Sequence, residues 1–263
     1  MALNRNSGNY AIGVGVEDPG FVGRKSGSDK GELRHWLPIL SEFSVVSVRG
    51  PRSAELLSDI GLSVEVSGDP ALLLPRPRVT AEDGLIGVNV GFGDDLWGGH
   101  DPARVVEEVS KAVSRLSADG YRFVGILMNR DDRRWTERAL AGVPAEIVHP
   151  ADANAAASEF ARCSVVIASR LHAGILAALS ETPTITLEYQ PKCRDFALSI
   201  DDERSLIRTD NVSSATVVDR VGETLADSSA IRAKTRGGIV GRLRERLAAD
   251  YAMLARELDL ASA

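Results

Sequence analysis

The sequence predicts an α/β protein built from two Rossmann-like units that face a cleft, each with a doubly wound parallel sheet, followed by a long C-terminal helix. Short apolar, β-branched runs alternate regularly with longer amphipathic segments, which is the pattern of strands joined by crossover helices. A stretch rich in proline and charge divides this alternation into two sets. The 263-residue length and 44% hydrophobic content are sufficient for both units.

Composition excludes several functional classes. The net charge of −6 argues against a nucleic-acid partner, since phosphate contacts require a basic face. Cys163 and Cys193 show no metal-binding or disulfide spacing, so a reducing, cytoplasmic environment is expected. The first ten residues are polar and no apolar run approaches the roughly 18 residues of a membrane span, so at most peripheral association with the inner membrane face is expected.

The first unit, residues 1–76, is the smaller one. The pattern predicts strands over 10–16, 44–48 and 64–66 and helices over 32–40 and 51–60. The segment LPRPRVTAED at 74–83 contains two prolines and several charges, so a linker is predicted over 77–83.

The second unit, residues 84–225, has the clearer alternation. Its predicted strands are 85–90, 121–128, 145–148 and 164–168, and its predicted helices are 102–117, 133–141 and 151–161. The helix at 102 has Asp101 as its cap, Pro102 in its first turn and Gly120 beyond its end. The acidic and basic run at 131–134 is interpreted as a solvated turn and helix start.

The tail, residues 226–263, is predicted to be helical over 239–260. Its apolar residues recur at three-, four- and seven-residue spacing. Three heptads are short for a coiled coil, so packing on the protein's own body is favoured, and dimerisation into a homo-oligomer remains the alternative.

A cationic cluster is predicted where two buried strands end. The run 164–168 reads as a strand and 173–179 as a helix, with Arg170 and His172 at the junction, where helix N–H groups favour an anion. A second strand at 184–187 leads to a predicted turn that carries Glu188, Tyr189, Lys192 and Arg194. Because the carboxyl ends of neighbouring parallel strands share one crevice, both clusters are expected to face the same ligand.

Four segments resemble one known family, the polysaccharide pyruvyl transferases. They are SVRGPRSAELLSDIG at 47–61, SGDPALLL at 67–74, SRLHAGILAAL at 169–179 and LEYQPKCRDFA at 187–197. The resemblance implies a two-domain fold of the GT-B type, with the donor in the cleft and a C-terminal helix that crosses back to the first domain. It also implies transfer of the enolpyruvyl group of phosphoenolpyruvate onto a hexose of a cell-envelope or exported polysaccharide, forming a pyruvate ketal.

The resemblance places Arg49, His172 and Lys192 in the phosphoenolpyruvate site, with Arg170 as a further ligand. Cations suit this donor because phosphate and carboxylate each need one. Each residue also has a structural interpretation. Arg49 and Lys192 can be surface residues, His172 can satisfy a buried carbonyl, and Arg170 can form a salt bridge within the protein.

The implied reaction needs an acid, a base and anion stabilisation, but neither a metal nor a cofactor. His172, Glu188 and Asp69 are the candidate catalytic groups, with Asp69 alternatively capping the turn before Pro70. The loop GDDLWGGHD at 93–101 offers groups suited to a sugar ring, unless it is a solvated, helix-capping loop. The candidate acceptor residues in it are Trp97, His100 and Asp101.

Two other functions remain open. One is a GT-B glycosyltransferase that uses a nucleotide sugar, and the other is a non-catalytic protein that binds the donor. Family members carry an additional N-terminal stretch, so this chain is expected to be N-terminally short and to bind the donor better than it transfers it. The expected partners are phosphoenolpyruvate and a glycan or lipid-linked saccharide.

Overall fold

A computed structural model describes residues 8–21, 30–92, 101–231 and 238–258 of the chain. The described residues form two parallel sheets, one of three strands and one of six, with helices packed against them. The predicted α/β class with parallel sheets is therefore confirmed.

The first unit contains the three-stranded sheet. Its elements are β1 (Tyr10–Val14), α1 (Lys30–Leu40), β2 (Val45–Val48), α2 (Pro51–Ser58) and β3 (Glu65–Val66). The strands lie in the order β1-β2-β3, and all pair in parallel. A single 3₁₀ turn at Pro70–Leu73 follows β3.

The second unit contains the six-stranded sheet. Its strands are β4 (Leu85–Asn89), β5 (Arg122–Ile126), β6 (Ala145–Val148), β7 (Val165–Ala168), β8 (Thr184–Glu188) and β9 (Leu206–Arg208). Its helices are α3 (Pro102–Ala118), α4 (Arg133–Ala139), α5 (Ala153–Arg162), α6 (Leu171–Leu179), α7 (Pro191–Ser199) and α8 (Ser214–Ala226). The helix α3 begins as predicted, because the Asp101 side chain accepts a hydrogen bond from the Ala103 amide at 2.9 Å.

The strand order of the large sheet locates its crevice. The order is β6-β5-β4-β7-β8-β9, so the chain winds outward from β4 on one side and then resumes on the other side at β7. In such sheets the ligand crevice opens where the winding direction changes, outside the carboxyl ends of the strands. Here that switch point lies between Asn89 and Ala168, which are paired neighbours at the ends of β4 and β7.

Two predictions about the end of the second unit were wrong or incomplete. The segment after β8 is the helix α7 and not a turn, because Pro191 occupies the first helical position, where its missing N–H costs nothing. The strand β9 and the helix α8 were not predicted from the sequence.

The core lies on both faces of the large sheet. The four residues of β7 are fully buried, as expected for a parallel strand covered by helices on either side. Every residue of α6 except His172 is buried as well. The apolar character of 164–179 therefore reflects burial, and His172 is the exception that reaches the crevice.

The last helix, α9 (Ile239–Glu257), packs on the first unit. Val240, Leu243 and Leu247 are buried, and Leu243 lies against Gly68. The Arg244 guanidinium donates to the backbone carbonyls of Leu72 and Leu74. Packing on the protein's own body is thus confirmed, whereas a homo-oligomer stays a prediction.

Cys163 and Cys193 are both buried, and neither is in a disulfide. Among the helices in the described part of the chain, none combines the length and the apolar character needed to cross a membrane.

Candidate functional site

Arg49 lies immediately after β2, on the side of the first unit that faces the second unit. Its amide donates to the Val14 carbonyl at 2.8 Å, and its guanidinium lies against Gly15. The Nε atom is 2.8 Å from Asp69 Oδ2, and the side chain is 16% exposed. This Nε is buried and has no hydrogen-bond partner among the described residues, so Asp69 holds it by charge and not by a directed bond.

His172 and Lys192 occupy equivalent positions on two neighbouring helices. Each is the second residue of its helix, after Leu171 in α6 and after Pro191 in α7, and each is exposed. Both helices follow the carboxyl ends of adjacent strands, β7 and β8. The unpaired N–H groups of two helix N-termini therefore add positive potential beside the two side chains.

The three basic side chains influence one another electrostatically. Burial, together with the nearby charges of Arg49 and Lys192, lowers the pKa of His172, and Asp69 partly opposes this shift. Although the Lys192 side chain is exposed, the surrounding protein displaces part of the water around its ammonium group, and this desolvation lowers the pKa of Lys192, with contributions from the charges of Arg170 and Arg49. Like charges that depress each other's pKa mark a site that an anion would stabilise.

A cavity of about 340 Å³ lies between the two units at this point. Arg49 enters it from the first unit and Lys192 from the second; its other lining residues are Gly15, Val16, Glu17, Gln190, Pro191 and Asp195. A larger, mostly apolar cavity of about 440 Å³ adjoins it on the first unit and shares Gly15, Val16 and Glu17 with it.

Tyr189 packs between Phe92 and Lys192. Its side chain is buried and contacts Phe92 edge to face, with ring centroids 5.7 Å apart. The Lys192 Nζ atom lies 5.9 Å from the centre of the Tyr189 ring, within the range of a cation–π contact. Burial raises the pKa of Tyr189 to about 12, so its hydroxyl stays protonated at neutral pH.

Arg170 lies at the switch point but is already paired. Its Nε and Nη2 atoms donate to Asp132 Oδ1 at 2.9 and 2.7 Å, and Nη2 also donates to the Phe92 carbonyl. Asp132 is fully buried, so the interpretation of 131–134 as a solvated turn was wrong for this residue. A side chain on Gly91 would collide with the Asp132 carboxylate, which explains a glycine at that position. Donor binding by Arg170 stays a prediction.

Glu188 is buried at the end of β8 and forms a two-point ion pair. Arg194 Nε and Nη2 donate to its two carboxylate oxygens, each at 2.7 Å. This pairing gives Glu188 a structural role in the conformation described, and its catalytic role stays a prediction.

Asp69 performs two tasks at once. Its Oδ1 accepts a hydrogen bond from the Ala71 amide at 3.0 Å, which is the turn-capping alternative, and its Oδ2 faces Arg49. It also lies close enough to His172 to raise that residue's pKa. A catalytic role for Asp69 stays a prediction with this geometry.

The predicted acceptor residues are only partly covered by the structure. Trp97 and His100 lie outside the described residues. Asp101 is exposed and caps α3, which matches the helix-capping alternative, and its role in acceptor binding stays a prediction. Within the described ranges, no group of three or more His, Cys, Asp and Glu side chains is arranged to hold a metal ion.

Two residues of the cleft, Ser53 and Asp195, were not singled out from the sequence. They join α2 to α7 through a hydrogen bond of 2.6 Å between Ser53 Oγ and Asp195 Oδ2. The two lie in different units, 142 residues apart, so neither local spacing nor helix periodicity signals the contact.

Comparison with known families identifies the chain's class. The family model described as polysaccharide pyruvyl transferase matches residues 1–191, and the chain belongs to this family. No curated protein matches the sequence.

Solved structures that are similar to this chain share its fold at low sequence identity. A UDP-GlcNAc 2-epimerase from Neisseria meningitidis bound to UDP-GlcNAc has a TM-score of 0.60 at 9% identity, covering 94% of this chain and 69% of its own. A TarM mutant from S. aureus in complex with fondaparinux, alpha-GlcNAc-glycerol and UDP has a TM-score of 0.56 at 13% identity, covering 98% of this chain. The chain spans about half the length of the two TarM structures, 52% and 51%. These neighbours show that the fold is GT-B-like.

Proposed function

We propose that the protein transfers the enolpyruvyl group of phosphoenolpyruvate onto two hydroxyls of a hexose in a cell-envelope or exported saccharide, forming a pyruvate ketal. Membership of the pyruvyl transferase family supports a transferase of this class. The observation that carries the proposal is that Arg49 and Lys192 line one cavity from the two units, with His172 near enough for the charges of both to lower its pKa.

The charge of the cleft fits this donor. Phosphoenolpyruvate presents a phosphate and a carboxylate a few bonds apart, so it needs cations on two sides of a small cavity. Arg49 offers a planar guanidinium from one side of the cavity, and Lys192 offers a point charge from the other. His172 adds an imidazole that a bound anion would protonate, and both Lys192 and His172 lie at helix N-termini. The free energy cost of holding like charges together in the empty site is recovered when the anion binds.

The proposed reaction conserves atoms and charge. One sugar hydroxyl attacks C2 of phosphoenolpyruvate while C3 takes up a proton and becomes a methyl group. The second hydroxyl then attacks C2, the C2–O bond to phosphate breaks, and phosphate leaves with the second hydroxyl's proton. Because the proton count balances between diol, methyl group and phosphate, the reaction needs only proton transfer and anion stabilisation.

His172 is suited to the proton transfer. Its lowered pKa keeps the imidazole neutral in the empty protein at pH 7, so it can accept a proton from a hydroxyl. The bound phosphate dianion would raise that pKa and favour the protonated form, which can then donate. The acceptor is proposed to enter from the apolar cavity that adjoins the donor cavity.

Calorimetric titration with phosphoenolpyruvate tests the donor, and phosphate release in the presence of saccharide acceptors tests the transfer. Binding of phosphoenolpyruvate together with stabilisation against heat supports the proposal. Stabilisation by UDP and not by phosphoenolpyruvate would instead favour a nucleotide-sugar glycosyltransferase. Binding without phosphate release across a panel of glycans would favour a protein that binds the donor without turnover.

A further inference from the structure

One carboxylate crosses from the second unit to the first. Asp195, on α7, accepts hydrogen bonds at Oδ1 from the Arg52 amide at 2.9 Å and the Ser53 amide at 3.2 Å. Its Oδ2 accepts from the Ser53 hydroxyl, and the residue is only 3% exposed. This buried contact joins the two units, and Asp195 also lines the donor cavity.

The contact replaces a missing helix cap. The helix α2 begins after Gly50, which has no side chain to bind the first free amides. The carboxylate of Asp195 binds two of these amides from the other unit. A side chain on Gly50 would collide with the Asp195 backbone carbonyl and carboxylate, so this close approach requires a glycine.

The contact extends to the first strand of the protein. The Ser53 hydroxyl that donates to Asp195 also accepts a hydrogen bond from the Val16 amide at 2.8 Å. Val16 lies just beyond β1, whose Val14 carbonyl binds the Arg49 amide. The buried Asp195 carboxylate is therefore connected to two backbone segments next to Arg49: the start of α2, which follows Arg49 in sequence, and the end of β1, which lies beside it.

Each of the two helices joined by this contact carries a proposed donor cation at or next to its first turn. Arg49 directly precedes Gly50, and Lys192 lies three residues before Asp195, about one turn earlier on α7. The two cations and the N-terminus of α2 repel one another, and the Asp195 carboxylate lies among them. Burial raises the pKa of Asp195, while the bonds from Ser53 and Arg52 and the charge of Arg49 oppose this shift.

We infer that Asp195 is a positioning residue that holds the two units together and fixes Arg49 opposite Lys192, so that both can bind one anion. The inference rests on the proposed function in taking that anion to be phosphoenolpyruvate. It adds a residue that lines the donor cavity but whose carboxylate is engaged by α2 and not by the donor, and that determines whether the two halves of the donor site are in register.

The test compares Asp195→Ala with Asp152→Ala in the full chain. Asp152 is also a carboxylate that caps a helix, accepting from the Ala155 amide at 2.8 Å, but it is exposed at the start of α5. Calorimetry measures the Kd for phosphoenolpyruvate, and hydrogen exchange measures the protection of the Arg52 and Ser53 amides.

Asp195→Ala is expected to raise the Kd for phosphoenolpyruvate roughly tenfold or more and to speed exchange at both amides. Asp152→Ala should change neither. Asp195→Asn keeps an oxygen that can accept both amide bonds, so it should bind the donor nearly as well as the wild type. Equal Kd values for Asp195→Ala and the wild type, or equal losses for the Ala variants, would overturn the inference.

The design also separates this inference from the proposed function. If the wild-type protein binds no phosphoenolpyruvate, the proposed function fails. The contact between the units is tested separately: if the Arg52 and Ser53 amides exchange at the wild-type rate in Asp195→Ala, the contact is refuted. If Asp195→Ala does not fold, Gly50→Ala replaces it, since its added methyl group pushes α7 away. Wild-type donor affinity in Gly50→Ala would then contradict the inference, and weakened affinity would support it.

Discussion

The basic residues around the cleft between the two units fall into two groups, which differ in whether a carboxylate of the protein already binds them. Arg170 and Arg194 each make two short, directed bonds to a fully buried carboxylate, Asp132 and Glu188 respectively. In the second group, Arg49 Nε lies 2.8 Å from Asp69 without a directed hydrogen bond among the described residues, and nearby positive charges lower the pKa of His172 and of Lys192. The first group is neutralised by directed ion pairs, whereas the basic side chains of the second lie close together without such a pair among the described residues.

This difference shows that a basic residue at the carboxyl end of a strand is not for that reason alone an anion-binding residue. Arg170 and His172 are two residues apart at the same strand-to-helix junction, yet only Arg170 has a buried carboxylate partner. A cation that is already paired must lose that partner before it binds a ligand, and breaking a buried pair is costly. The lack of a directed ion pair among the described residues, and not proximity to the crevice, therefore marks the basic residues of the proposed donor site.

The largest effect is expected from breaking a neutralised pair. Asp132→Ala removes the fully buried carboxylate that pairs with the partly buried Arg170, so we expect a loss of up to about 3–5 kcal/mol in the free energy of unfolding. Urea denaturation measures it, and the exposed neighbour Asp131 provides the control, since Asp131→Ala should change stability by less than about 0.5 kcal/mol. Equal, small effects of both substitutions would contradict a structural role for the pair.

Removing a cation from the second group should instead weaken donor binding and leave the free energy of unfolding nearly unchanged. Lys192→Ala is expected to weaken phosphoenolpyruvate binding about ten- to a hundredfold, because a charge-assisted contact contributes roughly 1.5–3 kcal/mol. Its unfolding free energy should change little, since Lys192 is exposed.

Lys111→Ala is the matched control for Lys192→Ala. Lys111 is exposed on α3, where it pairs with Glu107 and Glu108, and it lies outside the cleft. Calorimetry should show wild-type donor affinity for this variant. A lowered melting temperature with unchanged affinity in Lys192→Ala would assign Lys192 to the structural group instead.

The smallest expected effect is a pH dependence carried by His172. Its pKa lies below the ordinary value near 6.5 in the empty site, and a bound anion raises it, so binding takes up a proton. Donor affinity should therefore fall as pH rises through the free and then the bound pKa, by at most about tenfold per pH unit for one proton.

A pH series on the wild type and on His172→Gln isolates this effect. Phosphoenolpyruvate itself titrates, since the second pKa of a phosphate ester is near 6, and that contribution is common to both proteins. The difference between the two curves belongs to His172. Parallel curves would show that this imidazole does not change its protonation when the donor binds.

Local patterns in the sequence predicted much of the fold. The alternation of elements, the cap and proline at the start of α3, and the junction that carries Arg170 and His172 all depend on residues close in sequence. The helix α7 was missed although Pro191 is a helix-start signal, because nine residues with only a weak apolar face resemble a turn.

The partners of the site residues could not be predicted in the same way. Asp132 pairs with a residue 38 positions away, and its neighbours in sequence are charged and solvated, so its burial has no local signal. The bond from Asp195 to α2 spans 142 positions and depends on how the two units pack. Sequence reasoning placed cations at the crevice but could not determine which of them were neutralised.

A crystal structure of the full chain with bound phosphoenolpyruvate tests the central claim most directly. The account predicts that the donor's phosphate and carboxylate oxygens lie about 3 Å from the charged atoms of Arg49, His172 and Lys192. It also predicts that the pairs Arg170–Asp132 and Arg194–Glu188 remain intact. A donor bound away from the three cations, or one held by Arg194 after release of Glu188, would contradict it.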